Sequence, residues 1–128
     1  MLHEELSGNI LNAFFVVYNR LGHGFLEKVY ENALMIELAK RGMNVHQQKR
    51  IDVYYDRHGV GEYYADILVN DSIILELKAA EAIAPEHEAQ LINYLKATDI
   101  ELGLLLNFGP KPQFVRRILT NDKKSNHG

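Results

Sequence analysis

Three charged residues sit inside the apolar runs of the stretch DILVNDSIILELK: Asp66, Glu76 and Lys78. Around them stand Ile67, Leu68, Val69, Ile73, Ile74, Leu75 and Leu77, the composition of two buried strands joined by a turn. The register decides where the charges point. A three-residue loop, Asn70-Asp71-Ser72, sets Val69 opposite Ile73, Ile67 opposite Leu75 and Ala65 opposite Leu77, one uniformly apolar face. The other face then carries Leu68 opposite Ile74, Asp66 opposite Glu76 and Tyr64 opposite Lys78. A two-residue loop sends Asp66 and Glu76 to opposite faces, so apolar burial selects the longer loop. Asn and Asp take the left-handed conformation that such a loop needs.

Carboxylates directly across from each other repel, and burying them unpaired is costly. Two compensations are open. One is a shared proton, with one pKa raised. The other is a divalent cation, since carboxylates and carbonyls are hard-oxygen ligands that suit magnesium or manganese. Lys78 lies beyond Glu76 on the same face, where an ammonium stabilises an attacking hydroxide or the extra charge of a phosphoryl transition state. A buried Asp–Lys–Glu ion-pair cluster that holds the register is the equal structural alternative.

Other polar residues point toward the same place. His87, Gln90 and Tyr94 fall at i, i+3 and i+7 of a helix expected over Pro85–Thr98, beside Leu91. A Gln holds water or phosphate, and a Tyr stacks or donates; the bland alternative is a surface Gln and a packed Tyr. The six histidines lack HxH or HxxxH spacing, which excludes a typical histidine metal site. Glu27, in GFLEKVYENAL, shares a helix face with Tyr30, Leu34 and Leu38. It reads either as a first-turn carboxylate answering the helix dipole or as a further metal ligand.

The elements that must position these residues follow from periodicity. Leu6, Ile10, Ala13, Phe14, Val17 and Leu21 recur at helical spacing, and Gly22 and Gly24 end that helix. A second helix is expected over 25–41, stopped by Gly42. Strands are expected over 45–55, 61–69 and 73–79, then the Pro85 helix. A strand over 102–107, a continuous apolar run covered on both faces, comes next. A last helix is expected over 113–119. The order α-α-β-β-β-α-β-α implies an α/β fold: a mixed four-stranded sheet, an antiparallel meander plus one parallel strand, flanked by helices. Residues 1–121 are expected as one domain and 122–128 as a disordered tail.

The 128 residues carry 14 basic and 17 acidic side chains, a net charge of -3, so no global field draws the chain to nucleic acid or anionic lipid. The most basic region is C-terminal: Lys111, Arg116, Arg117, Lys123 and Lys124. The absence of cysteine removes disulfides and thiolate metal sites. MLHEELSGNI does not fit a signal peptide, and no segment approaches the ~20 apolar residues of a membrane span. A cytoplasmic location is the expectation.

Asp66, followed by Glu76-Leu77-Lys78, resembles the D…(D/E)XK signature of the PD-(D/E)XK nuclease superfamily. Gln90 and Tyr94, in QLINY, resemble the QxxxY motif of its branch related to bacterial recombination exonucleases. Gly24-Phe-Leu-Glu27-Lys-Val-Tyr30 matches the pattern that names the GxxExxY family, and the likeness runs from about Leu6 to Leu119. Ala65 stands where the superfamily has its eponymous proline, which carries no chemistry. The resemblance implies a restriction-endonuclease-like core and a magnesium-dependent phosphodiesterase site in which manganese can substitute. Asp66, Glu76 and the Leu77 carbonyl would hold the metal, and Glu27 would ligate it or orient water. Lys78 would activate the attacking water; Gln90 and Tyr94 would hold the site and the strand. The basic Lys111, Arg116 and Arg117, together with His87, are candidate nucleic-acid contacts. The expected partner is nucleic acid, DNA first and RNA not excluded, with a homodimer able to clasp a duplex. The rival readings are a catalytically silent nuclease-fold module that binds nucleic acid or a protein, and a structural ion cluster in a homo-oligomer.

Overall fold

A computed structural model describes residues 2–124. Helix α1, Glu4–Leu21, buries Ile10, Ala13, Phe14 and Val17 and ends at Gly22, whose φ of 68° is free of cost only for glycine. Helix α2, Glu27–Lys40, buries Tyr30, Leu34 and Leu38. Tyr30 pins the short link between them: its hydroxyl donates to the Gly22 carbonyl at 2.6 Å and accepts the Phe25 N–H at 3.2 Å. The Tyr30 ring stacks on Phe108 with centroids 4.4 Å apart.

Strands β1, Val45–Tyr55, and β2, His58–Val69, form a hairpin turned by Asp56 and Arg57, with φ of 49° and 68°. Two left-handed residues in a two-residue loop match the twist of the flanking strands. Strand β3, Ile73–Lys78, follows the expected three-residue loop, in which Asn70 and Asp71 are left-handed. The pairs Val69↔Ile73, Leu68↔Ile74 and Ile67↔Leu75 are those that apolar burial selects. Helix α3, Pro85–Lys96, crosses to β4, Leu102–Phe108, which lies parallel to β3.

Residues 113–119 do not form the expected helix. Strand β5, Pro112–Ile118, runs antiparallel to β4 from Phe108↔Pro112 to Leu102↔Ile118. The Gly109-Pro110-Lys111 turn folds the chain straight back onto the open edge of β4, and Phe114, Val115 and Ile118 favour an extended conformation. The sheet therefore has five strands in the order β1-β2-β3-β4-β5, not four. At the start of the expected tail, Asn121–Lys123 is a 3-10 turn, and the Lys124 ammonium donates to the Thr98 and Ile100 carbonyls, both at 2.8 Å. Residues 125–128 lie outside the described residues.

Helices α1 and α2 cover one face of the sheet, over Ile67, Val69, Ile73, Leu75, Leu77, Leu102, Leu104 and Leu106. Helix α3 covers the other, where Leu91, Tyr94 and Leu95 meet Ile51, Ala65, Leu68, Ile74 and Leu105. Ala65 thus sits on the α3 face, not opposite Leu77 on the α1–α2 face. The cause lies in β1 and β2 together. Gln47 pairs with Ile67 and Lys49 with Ala65, while Gln48 and Asp66 between them form no rung. Gln48 has φ 55°, which breaks the strict alternation of an extended strand. Both strands exchange faces at this point without changing register, so the expected pairing of Tyr64 with Lys78 does not occur. The β2–β3 ladder stops at Ile67↔Leu75.

Candidate active site

Where the β2–β3 ladder stops, side chains replace the backbone. The Asp66 carboxylate accepts the Leu77 N–H at 2.8 Å, and the Asp66 N–H donates to Glu76 Oε1 at 3.2 Å. The two carboxyl groups face each other closely enough that each shifts the proton affinity of the other. Glu76 is 3% exposed. Burial, and then the charge of Asp66, pushes its pKa up to about 9. Burial raises Asp66 as well; the Leu77 N–H opposes that shift and the nearby Glu31 charge adds to it. Both shifts favour the protonated carboxyl, more strongly at Glu76, where burial and the Asp66 charge act together.

Two further residues of this cluster escape a reading of the sequence motifs. Glu31, one turn after Glu27 on α2, is 4% exposed. Its carboxylate accepts from Lys28 at 2.9 Å, from Gln47 at 2.5 Å and from Gln48 at 3.1 Å. Gln48 also reaches Asp66 Oδ1 at 3.4 Å, so its amide stands between two carboxylates. A signal for Glu31 does exist: it lies at i, i+3 and i+7 with Leu34 and Leu38, in the buried stripe. Nothing in the sequence announces a left-handed glutamine inside a strand.

Lys78 extends from the end of β3, half-buried, and its charge lowers the proton affinity of Glu76. Among the described residues no ion pair ties it to either carboxylate. The chain just beyond it is held by Asn107, which is fully buried on β4: its side chain accepts the Ala80 N–H at 2.9 Å and donates to the Ala80 carbonyl at 3.0 Å. A Cβ on Gly109 would meet that same carbonyl oxygen at 2.1 Å, so glycine is required there.

From the α3 side, Tyr94 is 5% exposed and accepts a hydrogen bond from the Gln90 amide at 3.0 Å. Its ring lies 5.8 Å from that of Tyr63. Burial, with the facing Glu76 and Asp66 charges, pushes the phenol up to about 12, so it stays protonated. Glu27 is exposed in the first turn of α2, and the contacts of the acidic cluster come from Glu31 instead. The His87 ring Nδ1 accepts the Ala84 N–H at 3.0 Å and so closes the start of α3. The basic residues do not form one patch. Arg116 donates to the Leu2 carbonyl at 2.7 Å, Arg117 pairs with Glu88, and Lys111 stands exposed in the β4–β5 turn. Adjacent residues of a strand point to opposite faces, which separates Arg116 from Arg117.

The donors suit a hard divalent cation. Asp66 and Glu76 supply carboxylate oxygens. In an extended strand the carbonyl of a residue points to the same edge as its N–H, so the Leu77 carbonyl faces the gap that Asp66 fills. Among the described residues no three His, Cys, Asp or Glu side chains converge at ligating distance, because Glu31 reaches the pair only through Gln48. One or two carboxylates with the remaining positions left to water and phosphate is the usual arrangement for magnesium.

The family model described as the PD-(D/E)XK nuclease superfamily matches residues 4–118. The crystal structure of SSO0001 superposes with a TM-score of 0.57 at 17% identity, over 76% of this chain and 52% of that one, a likeness of fold. The chain thus spans about half the length of SSO0001. No curated protein sequence matches. The five-stranded mixed sheet, the interrupted rung at Asp66 and Glu76-Leu77-Lys78 on the next strand all sit within the matched residues; the chain belongs to the PD-(D/E)XK nuclease superfamily.

Proposed function

We propose that the protein is a metal-dependent nuclease of the GxxExxY branch that hydrolyses phosphodiester bonds in DNA, with RNA as the alternative substrate. One observation carries this reading. Asp66 and Glu76 crowd into a missing rung of the sheet, where ionising both costs a repulsion that a divalent cation would remove. Bound Mg²⁺, or Mn²⁺ in its place, would lower the pKa of water and neutralise charge on the phosphate.

The residues of the chain would do the rest. Asp66, Glu76 and the Leu77 carbonyl would hold the cation. Glu31, through Gln48, would fix the orientation of Asp66. Lys78 would position the attacking water and stabilise the charge that builds on the phosphoryl oxygens. Gln90 and the neutral Tyr94 phenol would hydrogen-bond the strand beside the scissile phosphate.

The test is cleavage of end-labelled single- and double-stranded DNA and RNA with Mg²⁺ or Mn²⁺, against Asp66→Ala and Lys78→Ala. Metal-dependent cleavage that both variants lose supports the assignment; none above the variants removes it. The second reading, a silent module, draws on the scattered and already engaged arginines. Calorimetric titration with Mn²⁺ separates the two: a working site binds it and Glu76→Gln does not, whereas a silent module binds none.

A further inference from the structure

A cleft of about 500 Å³ opens between α3 and the outer half of the β1–β2 hairpin. Its hairpin wall presents Tyr54 and Tyr63, both large aromatics that are about half exposed. Its helix wall presents the Gln90 and Asn93 amides, and room is left there because Ala89 and Ala97 share that face. The cleft is continuous with the candidate active site, since Gln90 and Tyr94 line both, and the Tyr63 and Tyr94 rings lie 5.8 Å apart. It exists because of the exchange of faces at Gln48 and Asp66. Without that exchange, Tyr63 would lie on the opposite face from α3.

We infer that this cleft is a subsite for an unpaired nucleobase next to the scissile phosphate, which makes a single strand the preferred substrate; the inference rests on the nuclease reading above. Three observations favour a base. Half-exposed tyrosine rings offer the flat apolar surfaces on which bases stack irrespective of sequence. Gln90 spends one amide hydrogen on Tyr94 and keeps its carbonyl and second hydrogen, and Asn93 is exposed, so donors and acceptors for a base edge stand opposite the rings. The size accepts one or two bases, within the usual range of small-ligand pockets. A duplex is disfavoured on two counts. Its bases are stacked and paired and cannot enter a concave slot. Duplex affinity also comes mainly from phosphate neutralisation, and this chain has net charge -3 with Arg116 and Arg117 already engaged.

Fluorescence anisotropy with a labelled ten-nucleotide oligothymidine, in Ca²⁺ so that binding is read without turnover, tests the inference. Base–aromatic stacking predicts that Tyr63→Ala weakens binding by about 5- to 100-fold, while Tyr63→Phe stays within about twofold. A blunt duplex of the same length should bind more weakly than the single strand, and an abasic residue at one position should reproduce the loss seen with Tyr63→Ala. Circular dichroism melts confirm that the variants fold. Unchanged binding in Tyr63→Ala, or a duplex bound as tightly as the single strand, overturns the subsite. That result leaves the nuclease assignment standing if the protein still cleaves and Asp66→Ala does not; absence of any metal-dependent cleavage removes the parent reading instead.

Discussion

The carboxylate of Asp66 accepts the backbone N–H of Leu77 at 2.8 Å, so a side chain occupies the place of a strand carbonyl. The acid is held by the sheet and at the same time withheld from its ladder. That substitution of side chain for backbone keeps Asp66 beside the buried Glu76 and sets the behaviour of both.

The metal-free protein should lose stability as pH rises. The folded pKa of Glu76, about 9, lies above its ordinary 4.5. Between those values the folded chain keeps a proton that the unfolded chain releases, so stability is full below about pH 4.5 and declines toward pH 9. The slope is limited to about 1.4 kcal/mol per pH unit for one proton. Thermal melts in EDTA should show it, and Glu76→Gln should flatten it and raise the melting temperature at alkaline pH. A melting temperature that climbs between pH 5 and pH 9 would count against the raised pKa of Glu76.

Gln48 separates backbone strain from side-chain chemistry. Gln48→Gly and Gln48→Ala both remove the amide that bridges Glu31 and Asp66, and each should lower cleavage by about 10- to 100-fold, as loss of a supporting contact does. Only the alanine keeps a Cβ at φ 55°. Urea denaturation should therefore find the glycine variant more stable than the alanine variant by about 1–2 kcal/mol. Equal stabilities would mean that the left-handed conformation carries no strain.

The two glutamates of α2 should behave differently. Glu31→Gln is expected to cut Mn²⁺ affinity and cleavage by about 10- to 100-fold. Glu27→Gln, at an exposed position, should stay within about twofold of the parent. A larger effect at Glu27 than at Glu31, in variants with matched melting temperatures, would return the role to the first of the pair.

Asn107→Ala should reach the site without touching it. The change leaves the Ala80 N–H and carbonyl without their partner, at about 1–3 kcal/mol for each group that stays buried. The segment after Lys78 then loses its anchor. Turnover should fall while Mn²⁺ affinity, set by Asp66 and Glu76, changes little. A parallel loss of metal binding would show that Asn107 supports the strands themselves.

Much of this arrangement is legible in the sequence because burial is a strong constraint. The three-residue loop and the pairing of Val69 with Ile73 follow from which side chains must leave water. The same reasoning makes β4 a strand covered on both faces and parallel to one member of the meander, and the structure shows that member to be β3. It fails where burial does not discriminate. Residues 113–119 alternate weakly and carry two arginines, so composition fits a helix and an edge strand equally, and the tight turn at Gly109 decides for the strand. Strict alternation through Asp66 puts Ala65 on the wrong face, and only the backbone of Gln48 reveals the break. The GxxExxY pattern singles out Glu27, although Glu31 lies closer to the centre of the buried stripe.

The exchange of faces also divides the hairpin mechanically. Val45, Ile67 and Val69 pack on the α1–α2 face, whereas Ile51, Ala65 and Tyr63 pack on the α3 face. The line along which this arm would flex runs through Gln48 and Asp66. Breathing of the distal arm would thus bear on the acid pair, and anything lodged under the arm would steady Asp66 and Glu76.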